Sequence, residues 1–391
     1  MHSSRLLGVA NRALVPPFYV MDVLSAANAR QRTHGDVVSF AAGQPSTGAP
    51  KAVRAAAVEA IAADPGYTEQ LGIPELRQAI AGHYGRWYGE PVSAEDVVVT
   101  TGSSGGFLLA FLSAFDVGAR VALTRPGYPA YRNILTALGC EVVELACLQP
   151  TVEALEAAGP LDGLIVASPA NPTGTVLAPA ELAAIAGWCT ERGVRLVSDE
   201  IYHGISYGAE TATAWAHSRE AIVVNSFSKY FGMTGWRLGW LLVPERLRAA
   251  VSCLTANFTI CPPALSQRAA VAAFTDEAYA EQDGHVARYA TNRRLLLDGL
   301  ADLGITGVAP ADGAFYAYAD VSHLTHDSMA FCKRLLADTG VAVVPGVDFD
   351  PADGGRSIRF SFAGSSEDVR EGLRRLGPWL GTIDGPGSLT G

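Results

Sequence analysis

From about Ala94 onward, short runs of β-branched and aliphatic residues alternate with Ala- and Leu-rich stretches whose apolar positions repeat at the helical period. That alternation is the pattern of a mostly parallel sheet covered by helices. It predicts strands at Val97–Thr101, Arg120–Thr124, Glu141–Leu145, Gly163–Ala167, Val194–Ser198, Ala221–Ser226 and Leu238–Val243. Helices are expected between them at Gly105–Phe115, Pro129–Leu138 and Pro179–Arg192. After Pro244 the pattern turns helical through about Leu303, with a break at Pro262-Pro263, where the prolines withhold the backbone donors a helix needs. Strands at Ala314–Val321, Val341–Val344 and Ser357–Phe362 then interleave with helices near Ser328–Asp338 and Ser366–Leu380, which suits a smaller α+β lobe.

A chain of 391 residues exceeds the size at which one hydrophobic core stops growing, so one large and one smaller domain are expected. With 49% hydrophobic and 17% charged residues, it lies far from the composition of a disordered chain. The net charge of −10 and the lack of a basic stripe argue against a nucleic-acid surface, because phosphate binding needs clustered Lys and Arg. Six cysteines form no CxxC pair and read as buried free thiols of a reducing compartment. No metal is expected. The histidines form no HExxH, and the pair His323 and His326 reads as a solvated helix start. The N-terminus lacks a continuous apolar leader core, and the longest apolar stretch, Phe107 to Phe115, is too short to span a bilayer; a cytoplasmic protein without membrane attachment is expected.

Four signals fall at turns after expected strands, where an open α/β sheet collects ligand groups. Thr101-Gly102-Ser103-Ser104-Gly105-Gly106 lies between a strand and a helix. Small residues there let the backbone approach a ligand, and the helix start favours an anion such as phosphate; taken alone the segment reads as a tight turn and nothing more. Asn171-Pro172-Thr173-Gly174 in isolation is a turn with an Asn cap. Asp199-Glu200-Ile201-Tyr202 sets an acid at the end of an apolar run, where it serves a ligand or caps the next element. Ser226-Phe227-Ser228-Lys229, followed eight residues later by Arg237, places a lysine after an apolar strand among hydroxyls, unlike a lysine in a solvated charge run.

Together these segments resemble the fold type I, class I/II aminotransferase family, which uses pyridoxal 5′-phosphate (PLP). The resemblance runs from Phe40-Ala41-Ala42-Gly43-Gln44-Pro45 to Ser357-Ile358-Arg359-Phe360-Ser361. Between them it passes through Tyr67-Thr68, Gly72-Ile73-Pro74-Glu75-Leu76-Arg77 and Pro126-Gly127-Tyr128-Pro129-Ala130-Tyr131, with all motifs in the family's order. It implies an α/β fold with a large PLP-binding domain over 48–288 whose central sheet is mostly parallel. A discontinuous α+β small domain would comprise 1–47 and 289–391, with a loose tail from about 381 to 391.

Carried over residue by residue, Lys229 resembles the lysine that holds the cofactor as a Schiff base, for which its amine must be deprotonated. Asp199 resembles the acid that pairs with the ring nitrogen and keeps it protonated. Tyr202 and Asn171 resemble the pair that bonds the ring oxygen, and Tyr128 the aromatic that stacks on the ring. Ser103, Ser104, Ser226 and Arg237, with Ser228 as an addition, match the phosphate-binding pattern. Tyr67 resembles a tyrosine that reaches the phosphate of a neighbouring subunit, which implies a homodimer; a core aromatic near a turn is the plain alternative. Arg359 resembles the fork for the substrate α-carboxylate, with Gly43 and Asn171 beside the substrate.

The implied activity is a ping-pong transfer of an amino group from an L-amino acid to a 2-oxo acid. The same cofactor could also lead to elimination, decarboxylation or oxidation, which the motifs do not separate. A PLP-binding regulator would need a DNA-binding module, for which the family-like region leaves no expected room. Dicarboxylate-specific relatives place a second arginine just before the segment that here reads Cys261-Pro262-Pro263, whereas this chain has Thr255-Ala256-Asn257-Phe258-Thr259, which puts strict aspartate specificity in doubt. Asp348 and Asp350 stand where many relatives have small residues; a solvated loop is the expectation, with contact to a cationic substrate as the alternative.

Overall fold

The computed structural model describes residues 8–63 and 65–383. Its centre is a seven-stranded sheet of β2 (Val97–Thr100), β3 (Arg120–Thr124), β4 (Glu141–Leu145), β5 (Gly163–Ala167), β6 (Arg195–Asp199), β7 (Ile222–Ser226) and β8 (Gly239–Leu242), which follow β1 (Val38–Ser39) in the chain. The spatial order is β2-β8-β7-β6-β5-β3-β4. Only β8 runs against its neighbours; the other pairings are parallel. Strands covered on both faces need no polar side, which is why they read as continuous apolar runs. The strand period then deals their side chains alternately to two cores. Leu164, Val166, Leu196 and Val223 enter the larger core, while Ile165, Val197, Ile222 and Val224 enter the other, under Phe107 and Phe111 of the helix Gly102–Ala114.

The remaining strands are β9 (Tyr316–Asp320), β10 (Val341–Ala342), β11 (Val344–Pro345) and β12 (Ser357–Ser361). They form an antiparallel sheet β11-β12-β9 and a parallel pair β1-β10, covered by the helices Tyr19–His34, Ser328–Thr339 and Ser366–Leu380. The single strand expected at Val341–Val344 is therefore two short ones in different sheets: Val341 pairs with Val38 and Val344 with Arg359. The helix expected from Gly105 begins at Gly102, whose φ of 71° turns the chain straight from β2 into the helix. No sequence expectation covered the helices Tyr19–His34, Lys51–Ala62, Pro74–Tyr88 and Val152–Ala157. The first of these buries only Ala27, so its apolar stripe is faint.

Two further expectations are corrected. Of the six thiols only Cys189 and Cys332 are buried; Cys140, Cys147 and Cys261 are partly exposed and Cys253 is exposed. Asp348 and Asp350 are not solvated. Both are buried, Asp348 accepting from the backbone N–H groups of Tyr19 and Val20, and Asp350 accepting from Arg125 Nη1 at 2.7 Å. The tail expected from about 381 lies outside the described residues from 384 on, while Thr382 and Ile383 still bond back to Trp379 and Leu380. Among the described residues no helix is long and apolar enough to cross a membrane.

Candidate active site

The carboxyl ends of β3, β5, β6 and β7 and the start of the helix Gly102–Ala114 open on one cavity of about 470 Å³, a volume suited to a small ligand. Of the residues singled out in the sequence, Gly43, Ser103, Ser104, Tyr128, Asn171, Asp199, Tyr202, Ser228, Lys229, Arg237 and Arg359 all line it. Two do not. Ser226 is buried behind the wall, where its hydroxyl accepts from Ser228 N at 3.0 Å and donates to Leu238 O at 3.4 Å. Tyr67 is 84% exposed and lies outside the cavity of its own chain.

Asp199 ends β6 and is buried at the cavity floor. Ile201 N donates to its Oδ1 at 3.0 Å, and the Tyr131 hydroxyl donates to Oδ2. Burial pushes the carboxyl up to about 7, against those two hydrogen bonds and the charge of Lys229. Three residues beyond β7, Lys229 directs Nζ into the cavity, where it donates to Gly43 O at 2.5 Å. Desolvation, joined by the cationic Arg359 and Arg237, lowers its ammonium to about 8, while Asp199 opposes. A lysine so perturbed inside a cleft is a candidate nucleophile and proton carrier.

Arg359 lies in β12 with 2% of its surface exposed. Its guanidinium is sandwiched between the rings of Tyr316 and Phe349, at 4.3 and 4.8 Å from their centroids. Nη1 donates to Asn171 Oδ1 at 2.9 Å and Nη2 to Ala41 O at 3.0 Å, while the buried Nε has no protein partner. The planar group is thus fixed with donors left over, the arrangement that receives a carboxylate in two parallel bonds. Beside it the hydroxyls of Tyr202 and Tyr316 are 2.6 Å apart, and burial pushes both phenols up. Gly43 leaves room for the Tyr316 hydroxyl: a Cβ there would sit 2.5 Å from it, and the phenol would have to shift.

At the opposite end, Arg237 lies against the first turn of the helix Gly102–Ala114, so closely that a Cβ on Gly102 would stand 2.6 Å from its Nη2. Thr101 makes no side-chain cap at this helix start. Uncapped amides, a guanidinium and the hydroxyls of Ser103, Ser104, Ser228 and Thr234 make an anion cradle.

Sequence reasoning missed several lining groups. Tyr131 stands three residues after Tyr128, at N3 of the helix Pro129–Leu138, a spacing that puts both rings on one side. Tyr316 and the apolar wall of Phe18, Val20, Met21 and Leu24, from the start of the helix Tyr19–His34, carried no local signal.

The family model described as "Aminotransferase class I and II" matches residues 35–376. The chain is 65% identical over 381 residues to the "Valine–pyruvate aminotransferase" of Mycobacterium tuberculosis, covering 95% of this chain and 98% of that one. It is 36% identical to the "Aspartate/prephenate aminotransferase" of Thermus thermophilus, covering 88% and 91%. Among solved structures, an aminotransferase from Mycobacterium tuberculosis is 64% identical and superposes with a TM-score of 0.95 over 96% of this chain and all of that one.

Proposed function

The chain belongs to the class I and II aminotransferase family, whose members move an amino group from an amino acid to a 2-oxo acid, and we propose that it does so on PLP, with valine or another branched apolar amino acid as donor and pyruvate as acceptor. The observation that carries this reading is one cavity lined both by Lys229, Asp199 and Arg359 and by the apolar Phe18, Val20, Met21 and Leu24.

The residues present fit the cofactor. The anion cradle of Ser103, Ser104, Ser228 and Arg237 matches a phosphate, the buried Asp199 matches a protonated ring nitrogen, and Lys229 matches an aldehyde. Tyr128 would stack on the ring, and Tyr202 with Asn171 would bond its oxygen. Ser226 would act from behind, by fixing the amide of Ser228. When bound, PLP supplies an aldehyde that condenses with amines and a ring that accepts the electron pair released at the donor's Cα.

The chain's own groups do the rest. Lys229 Nζ, once neutral, would hold the cofactor through its aldehyde and, when free, would serve as the base for the proton at the donor's Cα. Arg359 clamps the α-carboxylate, and a clamp at one end of so small a molecule fixes which Cα bond faces the base. Asn171 helps to hold that clamp in plane. The cations lining the cavity among the described residues are Lys229, Arg237 and Arg359, the first two matched to the cofactor and the third to the α-carboxylate that all donors share. Among the described residues of this chain no fourth cation lines the cavity to meet a distal carboxylate, which favours an apolar side chain. The M. tuberculosis relative named for valine and pyruvate supports the same choice.

A homodimer with Tyr67 crossing to the partner's phosphate site belongs to the proposal. Tyr67 is exposed, as are the apolar side chains of Val58, Ile61, Phe258, Ile260 and Leu265, which a partner subunit would cover. Of that set, Ile61 and Leu265 rim an open groove of about 560 Å³, and none of the described residues lining it is titratable.

The deciding experiment is a donor panel against pyruvate and 2-oxoglutarate with detection of the 2-oxo acid formed. Valine and its branched relatives should lead with pyruvate. Faster turnover of aspartate or glutamate would overturn the donor class.

A further inference from the structure

The loop after β11 performs a task that the aminotransferase reading leaves unassigned. Asp348, with 2% of its surface exposed, accepts from Tyr19 N at 3.2 Å through Oδ1 and from Val20 N at 2.9 Å through Oδ2. These are first-turn amides of the helix Tyr19–His34, whose own N-cap residue, Phe18, offers no side-chain cap. The cap comes instead from more than 300 positions away in sequence. A carboxylate at a helix start also meets the positive end of the helix dipole.

The anchor is itself fixed on three sides. Phe349, the next residue, lies against the Arg359 guanidinium and accepts from Gly127 N through its carbonyl at 3.0 Å. Asp350 holds Arg125 at 2.7 Å, just before the Tyr128 turn, and Arg132 Nη2 donates to Asp348 O at 3.4 Å. The helix it holds has few other attachments near its start. Ala27 is its one buried residue, with Val20 and Val23 partly buried against the same small cluster. Yet Phe18, Val20, Met21 and Leu24 from that start form the apolar wall of the cavity, and Phe18 packs edge-on against Tyr128 with centroids 5.7 Å apart.

The geometry points to Asp348 as a specificity-determining positioning residue that, by capping the helix Tyr19–His34, holds the wall against which the donor's side chain packs. It touches neither substrate nor cofactor. Removing it loosens the contact for a branched side chain and leaves the α-carboxylate clamp in place, so donors differ in how much they lose. This inference rests on the proposed apolar donor, and its test separates the two.

The test uses Asp348→Ala and Asp348→Asn of the PLP-loaded enzyme, the asparagine retaining one acceptor oxygen. The half-saturating concentrations of valine and alanine are read from the 2-oxo acid released in a single turnover. In the alanine variant the valine-to-alanine ratio should rise about tenfold, the scale of one or two methylenes in an apolar pocket, with the asparagine variant in between. Amide hydrogen exchange of residues 18–24 in the cofactor-free protein should speed up at least about tenfold while the central sheet stays protected. Unchanged exchange in that segment, or an equal loss for both donors, would overturn the assignment. If the alanine variant fails to fold, the same two readings on Asp348→Asn decide. A wild-type enzyme that ignores valine sinks the donor class, and the exchange arm still decides whether Asp348 holds the helix.

Discussion

Replacing Arg359 tests the carboxylate clamp most directly. The guanidinium carries five N–H groups, of which Asn171 and Ala41 engage two. Three remain, among them the buried and unpartnered Nε, and the rings of Tyr316 and Phe349 hold their plane. A carboxylate bonded twice to this group gains two charge-assisted hydrogen bonds, each about 1.5–3 kcal/mol, in a site that loses little side-chain entropy on binding. The pair is then about 3–6 kcal/mol, which at ~1.4 kcal/mol per decade predicts a fall in kcat/KM of roughly 10²–10⁴ for Arg359→Ala. Because the α-carboxylate is common to all donors, valine, leucine and alanine should fall by the same factor.

Arg359→Lys keeps the charge but supplies no planar fork, so it should recover only a minor part of the loss. The assay is a steady-state comparison of the three enzymes over those donors, with PLP content and unfolding temperature measured in parallel. The temperature will drop in Arg359→Ala, since Asn171 Oδ1 and Ala41 O lose their donors. A lysine variant close to wild type, or a loss that tracks donor side chain, would refute the clamp.

Tyr131→Phe removes a donor to the Asp199 carboxylate, which burial raises to about 7, and should raise that group further, so the acid limb of the kcat profile should move to higher pH. Desolvation lowers the Lys229 ammonium to about 8, so PLP uptake by the cofactor-free protein should slow about tenfold per unit below that pH and level off above it; a plateau reached only near the ordinary lysine value would contradict the desolvated amine. Borohydride should fix the cofactor on Lys229, as read by peptide mapping, and a label on another lysine would remove the central role proposed here. Mixing Lys229→Ala with Tyr67→Ala subunits should restore activity towards about a quarter of wild type if they exchange freely in a twofold dimer with shared sites, and no recovery despite proven exchange would place Tyr67 elsewhere.

What the sequence made legible follows the range of the interactions. The central strands stood out because burial on both faces leaves nearly unbroken apolar runs between turns, and every one from β2 to β8 lies within a residue or so of its expected span. Asp199, Lys229 and Asn171 share that visibility because each lies at, or within four residues of, the carboxyl end of a strand and lines the cavity there. Ser226 shows where local reading stops. It is two residues from Ser228 and chemically identical, yet its hydroxyl is spent on backbone groups behind the wall.

Asp348 shows the complementary failure. Its neighbours in sequence are a Gly, a Val and two further acids within a few positions, which reads as a solvated turn. What makes it a buried acceptor is a pair of amides from the other end of the chain, and no pattern within the loop encodes them. The helix it caps is faint for a related reason: a helix that lines a cavity with one face and meets solvent with the rest buries little. On the proposed assignment, the residues that would meet a variable substrate side chain come from such a weakly patterned segment, whereas those proposed for the shared amine and carboxylate sit on strands and their turns. Specificity would then be written in long-range tertiary contacts, and the common chemistry in short motifs.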